Sequence, residues 1–421
     1  MAFRAPRGTA DILPDQVGRL RHIEQTAHQI FERYGYGEIR TPIFEETALF
    51  VRYIGETTDI VEKEMFTLAT RDDEGSLTLR PEATVGVARA YLQHNYHKTQ
   101  PLMKFYVIGP MFRYERPQAG RSRQFDQIGV ELIGTTDPLA DAEIIALAAN
   151  YFEELGLSGY TVHVNSIGCP DCRGEYRKLL TTLLTDKLDR MCDLCKKRYE
   201  RNVFRVLDCK KADCKEIAGQ LPPMLKHLCK DCAEHFEGVK KALNEAGLTY
   251  LVDSSVVRGF DYYTRTVFEI MHQAVGARST ICGGGRYDNL IEELGGPPTG
   301  ACGFSVGVVP LTVVMEKLGM AVAEPVSGKV SVFVAAADPG TRLAAFRLTQ
   351  ELRRARVSAE TDYAGRSLKA QMRQANKMNV RFVIVVGPEE VKSGSVSLKN
   401  MQTSEERNVR MTEVAAAVSE G

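Results

Sequence analysis

Residues 103–133 read MKFYVIGPMFRYERPQAGRSRQFDQIGVELI, and the fold is decided there. Met103–Tyr114 and Phe125–Ile133 carry strand-like patterns, and the polar run Glu115–Gln124 joins them as a loop. Two strands joined this way form a hairpin, so the surrounding sheet is expected to be antiparallel. Four arginines, Arg113, Arg116, Arg121 and Arg123, sit on or beside the paired strands. Guanidinium forks match phosphate oxygens bidentately. On the return strand Gln127 and Glu131 are four residues apart, so they share one sheet face with Phe125 and Gly129. An amide and a carboxylate on one face suit an ammonium or imidazole ligand. Without further information a solvated basic hairpin fits equally well.

The flanking pattern extends this reading. Residues 16–34 place Val17, Leu20, Ile23, Ala27, Ile30, Phe31 and Tyr34 on one helical face. A turn at Gly35–Gly37 leads into a short strand toward Thr41 and Pro42. Ser76–Arg80 alternates as a strand, and Pro81 is expected to open a helix. Pro138–Leu155 is helical. Thr249–Val252 and Val256–Ile270 return to strand patterns, the latter including VVRGFDYYTRTVFE at 256–269. Its two tyrosines offer hydroxyls and ring faces to a small ligand, or are core aromatics of an ordinary strand. A glycine run, Gly283–Gly285, lacks the spacing of a dinucleotide fingerprint, and no glycine loop with Lys-Ser/Thr exists. ATP, if used, must be held by arginines. Ala321–Gly328 reads as a linker. Beyond it Val330–Ala336, Arg342–Arg356, Val357–Thr361, Leu368–Asn376 and Arg381–Val386 alternate strand and helix, giving a small α/β domain with a partly parallel sheet.

The chain has 421 residues, 44% hydrophobic and 26% charged, with a net charge of zero. That is ordinary globular usage for two or three domains, with no global basic signal for nucleic acid. RNA affinity therefore depends on local patches. One lies between Arg342 and Arg381, where ten Lys/Arg face three Asp/Glu; solvated helix faces would look the same. No run approaches a membrane span of about 18 apolar residues, and the N-terminus has no signal-type apolar core, so a cytoplasmic protein is expected. Residues 169–250 look like an inserted module. Eight of the ten cysteines fall there, in the close pairs Cys169/Cys172, Cys192/Cys195, Cys209/Cys214 and Cys229/Cys232. Such spacing is a zinc-type signal, and eight ligands complete two four-cysteine sites. Free thiols are the alternative.

Five stretches together resemble the histidyl-tRNA synthetase family of class II aminoacyl-tRNA synthetases, over nearly the whole chain. GYGEIRTPIFE at 35–45 resembles motif 1, with Pro42 at its marker position. TLRPEAT at 78–84 resembles the amino-acid-binding turn, and FRYERPQAGRSRQFDQ from 112 resembles motif 2. VVRGFDYY at 256–263 resembles the histidine signature, and GFSVGV at 303–308 the start of motif 3. The resemblance implies an α+β fold. A class II antiparallel-sheet catalytic domain, 1–320, carries the Cys-rich insertion at about 169–250. A small α/β anticodon-binding domain, 329–421, follows.

The resemblance also implies roles. Glu82, Ala83, Thr84, Gln127, Glu131, Arg258, Tyr262 and Tyr263 would line the histidine site. Arg113 and Arg258 would act catalytically on the α-phosphate of ATP, with Arg121 and Arg123 also toward ATP. Arg116 and Gln118 would touch the tRNA acceptor end. Substrates would be L-histidine, ATP with Mg2+, and tRNA(His), acted on by a homodimer; structural zinc is not a requirement of the family. One departure stands out: motif 3 normally continues Glu-Arg-Leu, but here it is Val309-Pro310-Leu311, so an ATP-contacting arginine is missing. Arg121 or Arg123 is expected to cover for it in part, and Leu311–Leu318 to be helical. The rival implied by that loss is a catalytically silent relative that regulates ATP phosphoribosyltransferase in histidine biosynthesis. That relative lacks the tail and the intact signature residues found here.

Overall fold

A computed structural model describes residues 3–55, 58, 60–69, 75–117, 121–207, 209, 211–276, 280–320 and 330–419. The chain divides into two compact units, one dominated by Arg19–Ala321 and one by Val322–Gly421. The expected linker at 321–328 lies outside the described residues.

The larger unit is built on an eight-stranded sheet. Its strands run in the spatial order Gly37–Glu38, Met103–Phe112, Gln124–Ile133, Ala301–Gly307, Thr280–Arg286, Thr264–Met271, Thr161–Ser166 and Leu251–Val252. Only the two edge pairings are parallel; the remaining five are antiparallel. The expected hairpin is present, with Phe105 opposite Glu131 and Gly109 opposite Gln127. Alternation along the strands sorts side chains onto two faces. Ile128, Val130 and Leu132 point into a core shared with Ile23, Ala27 and Phe31 of helix Pro14–Arg33 and with Ile145, Tyr151 and Phe152 of helix Pro138–Glu154. The opposite face carries Phe105, Val107 and Met111, packed with Val85, Ala88 and Tyr91 of helix Thr84–Gln93. Gln127 and Glu131 belong to this second face.

Two expectations fail locally. Pro81 does not open the helix, which begins three residues later at Thr84. The Glu82 carboxylate accepts from the amides of Thr84 and Val85, at 2.7 and 3.0 Å, so a side-chain cap sets the start and Pro81 lies outside it. Nor is 256–270 one strand: the strand is Thr264–Met271. Tyr262 and Tyr263 are both buried, and neighbours on a strand cannot both face one core. Instead Phe260, Tyr262 and Tyr263 stack on one another in a loop, with ring centroids 5.2 and 4.7 Å apart in succession.

The inserted module is a group of short helices around its own core of Tyr176, Leu180, Leu184, Val206, Ile217 and the cysteines. That core ends at Cys232. Phe236, Val239 and Leu243, further along helix Lys230–Glu245, join the core of the large sheet.

The smaller unit is a five-stranded sheet ordered Ala359–Thr361, Val332–Ala336, Phe382–Val386, Ser395–Asn400, Glu406–Arg410. The first three strands are parallel and the last two antiparallel. Helix Arg342–Arg354 covers one face through Ala345, Leu348 and Leu352. Helix Leu368–Lys377 supplies Ala375 to the other. No helix among the described residues is long and apolar enough to cross a membrane.

Candidate active site

The second sheet face gathers most of the expected site. Glu131 is buried and accepts a hydrogen bond from Thr84 Oγ1 at 2.6 Å and another from the Tyr287 hydroxyl. Gly303 pairs with it on the next strand, and a Cβ at 303 would collide with its carboxylate. Burial pushes the Glu131 carboxyl up to about 8, against the pull of those hydrogen bonds. Four residues away, the Oε1 of Gln127 is buried without a hydrogen-bond partner. A buried carboxyl and an unsatisfied buried amide oxygen on one sheet face are candidate acceptors for the N–H groups of a ligand. Tyr262 and Tyr263 are buried near it, the Tyr262 ring edge-on to Tyr287 at 5.7 Å. Ala83 and Thr84 sit at the start of their helix, and Glu82 is held by its capping bonds; burial raises the Glu82 carboxyl too.

A neutral carboxyl in the folded state has a measurable sign. The folded pKa lies above the ordinary 4.5, so the stabilising contribution of Glu131 is complete below that value and is lost as pH rises toward about 8. Glu131→Gln removes this titration. Its urea midpoint, relative to the unaltered chain, is expected to climb between about pH 5 and pH 8. A difference that stays flat across that range would show that the carboxyl is not held neutral.

Two arginines belong to the same group of expected site residues. Arg258 donates from Nη1 to Glu269 Oε1 at 2.8 Å, and its guanidinium lies 5.6 Å from the Tyr263 ring centroid. Gly283 makes room for it, since a Cβ there would strike the guanidinium. Arg113 donates from Nε to the Pro81 carbonyl at 2.8 Å, between the rings of Phe125 and Phe260 at 5.2 and 5.8 Å. Both cations are thus oriented before any ligand arrives. The other hairpin arginines are engaged elsewhere. Arg121 pairs with Glu115, and Arg123 lies 3.7 Å from the centroid of the Tyr114 ring with its stem against Gly8. Arg116 is exposed, and Gln118 lies outside the described residues.

Glu269, Tyr287, Gly283 and Gly303 were not anticipated as parts of the site. The glycines carried a usable signal, because glycine inside a strand marks a close approach. Nothing local marks Glu269 or Tyr287.

A sequence-family model described as histidyl-tRNA synthetase matches residues 8–311, and one described as anticodon binding domain matches 329–421. The chain belongs to the histidyl-tRNA synthetase family. The histidine–tRNA ligase of Desulforamulus reducens is 48% identical over 414 residues, 98% of each chain. That of Geobacter metallireducens is 46% identical over 411 residues, again 98% of each. The crystal structure of apo S. aureus histidyl-tRNA synthetase superposes with a TM-score of 0.81 at 33% identity, covering 99% of this chain and 100% of the other. Within this synthetase fold the altered motif 3 residues occupy the first turn of helix Val308–Lys317. That helix starts three residues before the expected Leu311. Pro310 is its third residue, where a missing N–H leaves no intrahelical bond unmade.

Proposed function

We propose that this chain activates L-histidine with ATP and transfers the histidyl group to tRNA(His), in the cytoplasm, as a homodimer. The observation that carries the reading is buried Glu131 and the unpartnered Gln127 Oε1 on one sheet face, together with the two preoriented guanidinium groups of Arg113 and Arg258. In the first step a histidine carboxylate oxygen attacks the α-phosphorus and pyrophosphate leaves. Arg113 and Arg258 stabilise the charge that builds on the phosphoryl oxygens, and fixed cations aimed at developing charge are a large catalytic term. Mg2+ enters with ATP as the counter-ion of its phosphates. In the second step a hydroxyl of the terminal ribose attacks the histidyl carbonyl and AMP leaves, with Arg116 and Gln118 toward the acceptor end. Residues 1–320 form the catalytic domain and 329–421 the anticodon-binding domain, whose basic helices supply phosphate contacts. Relatives named histidine–tRNA ligase, matched over nearly their full length, favour this reading over the regulatory one.

The test is ATP–pyrophosphate exchange with each amino acid in turn. Exchange is expected with histidine and not with glutamine or phenylalanine; phenylalanine lacks any side-chain N–H and would leave the site's buried polar atoms unpaired. Equal exchange with a second amino acid would sink the assignment. Absence of exchange with any would favour the regulatory reading.

The Val309-Pro310 departure gives a second test. A lost charge-assisted hydrogen bond weakens nucleotide binding by about 1.5–3 kcal/mol. The double change Val309→Glu with Pro310→Arg is therefore expected to lower the KM for ATP about tenfold or more. Thermal stability should hardly move, since both positions are partly exposed in a helix that already forms. An unchanged KM would mean that another group already fills the role.

A further inference from the structure

The eight module cysteines separate in space into two groups of four: Cys169, Cys172, Cys229, Cys232, and Cys192, Cys195, Cys209, Cys214. Within each group all sulfurs lie within 4.8 Å of one another. The Cys169–Cys172 and Cys192–Cys209 sulfurs are 3.6 and 3.9 Å apart, much longer than the roughly 2.05 Å of a disulfide. Four sulfurs at about 2.3 Å from a tetrahedral zinc stand about 3.8 Å from each other. Local backbone supports the same chemistry. Cys169, Cys192 and Cys229 occupy helix N-cap positions, and Cys172, Cys195, Cys214 and Cys232 are each the third residue of a helix. Helix N-termini favour thiolates. Amide groups also point at sulfur, from Cys229 to Cys172 at 3.0 Å and from Cys192 to Cys214 at 3.3 Å.

The first group closes the root of the module, where the chain leaves the large sheet and returns to it. Next to Cys172, Arg173 donates from Nη1 to the backbone carbonyls of Tyr263 at 3.0 Å and Asp261 at 3.4 Å. Just before Cys169, the Gly168 carbonyl accepts from the Arg265 amide at 2.8 Å. A small cavity lined by Arg173, Asn202, Phe204, Arg258, Phe260 and Asp261 lies between the module and loop 254–261. Hydrogen bonds cross this gap between the module and the loop. Arg173 holds the loop by its backbone, whereas near the second cysteine group Asn202 donates to the Asp261 side chain at 3.3 Å and Arg205 adds a charge beside that carboxylate.

We propose that each cysteine group binds one zinc ion, and that the ion at Cys169, Cys172, Cys229 and Cys232 positions the Arg258–Tyr263 loop through Arg173. Arg173 is a positioning residue: it touches the loop backbone, not the reacting atoms. The second half of the proposal rests on the histidine-site reading above.

The test begins with metal content of the full chain, purified anaerobically without chelator. Two zinc ions per chain are expected, and cobalt substitution should give thiolate charge-transfer absorption. Protein free of metal would overturn the metal half, whatever its activity. Cys229→Ser should retain one zinc and raise the KM for histidine about tenfold, the effect of losing a hydrogen bond from a charged donor. Cys209→Ser should also retain one zinc, with that KM changed by less than about threefold. Arg173→Met keeps every ligand, so it covers the case in which the cysteine variants fail to fold. It should retain both zinc ions, raise the histidine KM about tenfold, and speed amide hydrogen exchange across 258–263. Arg173→Lys should recover part of the loss. Unchanged exchange and unchanged KM in Arg173→Met would overturn the positioning half. Loss of pyrophosphate exchange in the unaltered chain would instead count against the functional reading, leaving metal content and amide exchange to decide this one.

Discussion

Replacing Arg258 by alanine is expected to lower kcat for adenylate formation by about 10²–10³, with the fold intact. The argument is geometric. Although burial opposes the charge, Tyr263, Glu269 and Tyr262 hold Arg258 firmly protonated, and its orientation is set by Glu269 and by the space at Gly283. A cation already in place needs no reorganisation when charge develops on the phosphate. Arg258→Lys should rescue only part of the rate, because an ammonium cannot both satisfy Glu269 and present a planar fork. Rapid-quench measurement of adenylate separates this from slower tRNA charging. An unchanged kcat would place the stabilising charge elsewhere.

The second large effect is on stability. Arg286→Ala should destabilise the larger unit by about 3–5 kcal/mol, the range for stranding one partner of a buried ion pair. Arg286 is fully buried. Its Nε lies 3.1 and 3.0 Å from the two Asp141 oxygens, and its Nη1 donates to the Thr135 carbonyl and to Asp288, both at 2.8 Å. Asp141 is buried too, and Arg286 keeps it below the ordinary carboxylate range against that burial. Removing the arginine leaves the Thr135 carbonyl unpaired and the buried carboxylate with only His235 Nε2, at 3.5 Å, among the described residues. The double variant Arg286→Met with Asp141→Leu should recover much of the loss, because apolar replacement of both partners avoids the uncompensated charge. Urea unfolding of both variants checks this, and a single variant within about 1 kcal/mol of the parent would contradict it.

The hairpin was legible because its two strands and its loop are contiguous, so one window contains the whole unit. Gln127 and Glu131 were legible together for the same reason: a spacing of four on a strand sets a shared face. Tyr262 and Tyr263 were expected on a strand, which in fact begins at Thr264. Their aromatic rings raise strand propensity, and only tertiary stacking shows that the backbone turns there. Pro81 misled because the cap that starts the helix comes from Glu82. Tyr287 could not be read at all, since it meets Glu131 across 156 residues of chain. Arg121 and Arg123 looked available in a linear reading, whereas Glu115, Tyr114 and Gly8 occupy them in space.

The glycine strand at the middle of the large sheet limits how this enzyme can be hardened or can drift. A methyl at Gly283, Gly284 or Gly285 meets Arg258, the Gly303 carbonyl or the Thr266 carbonyl. The flexibility penalty of roughly 0.5–1 kcal/mol that each glycine carries in a strand is therefore locked in, by Arg258 at Gly283 and by the neighbouring strands' backbone at Gly284 and Gly285. Thermal adaptation has to proceed elsewhere. At Gly174, inside helix Pro170–Thr185, an added methyl would meet nothing within 4 Å, and there is no left-handed backbone to preserve. Variation across relatives should accordingly be free at such helical positions and absent along the central strand.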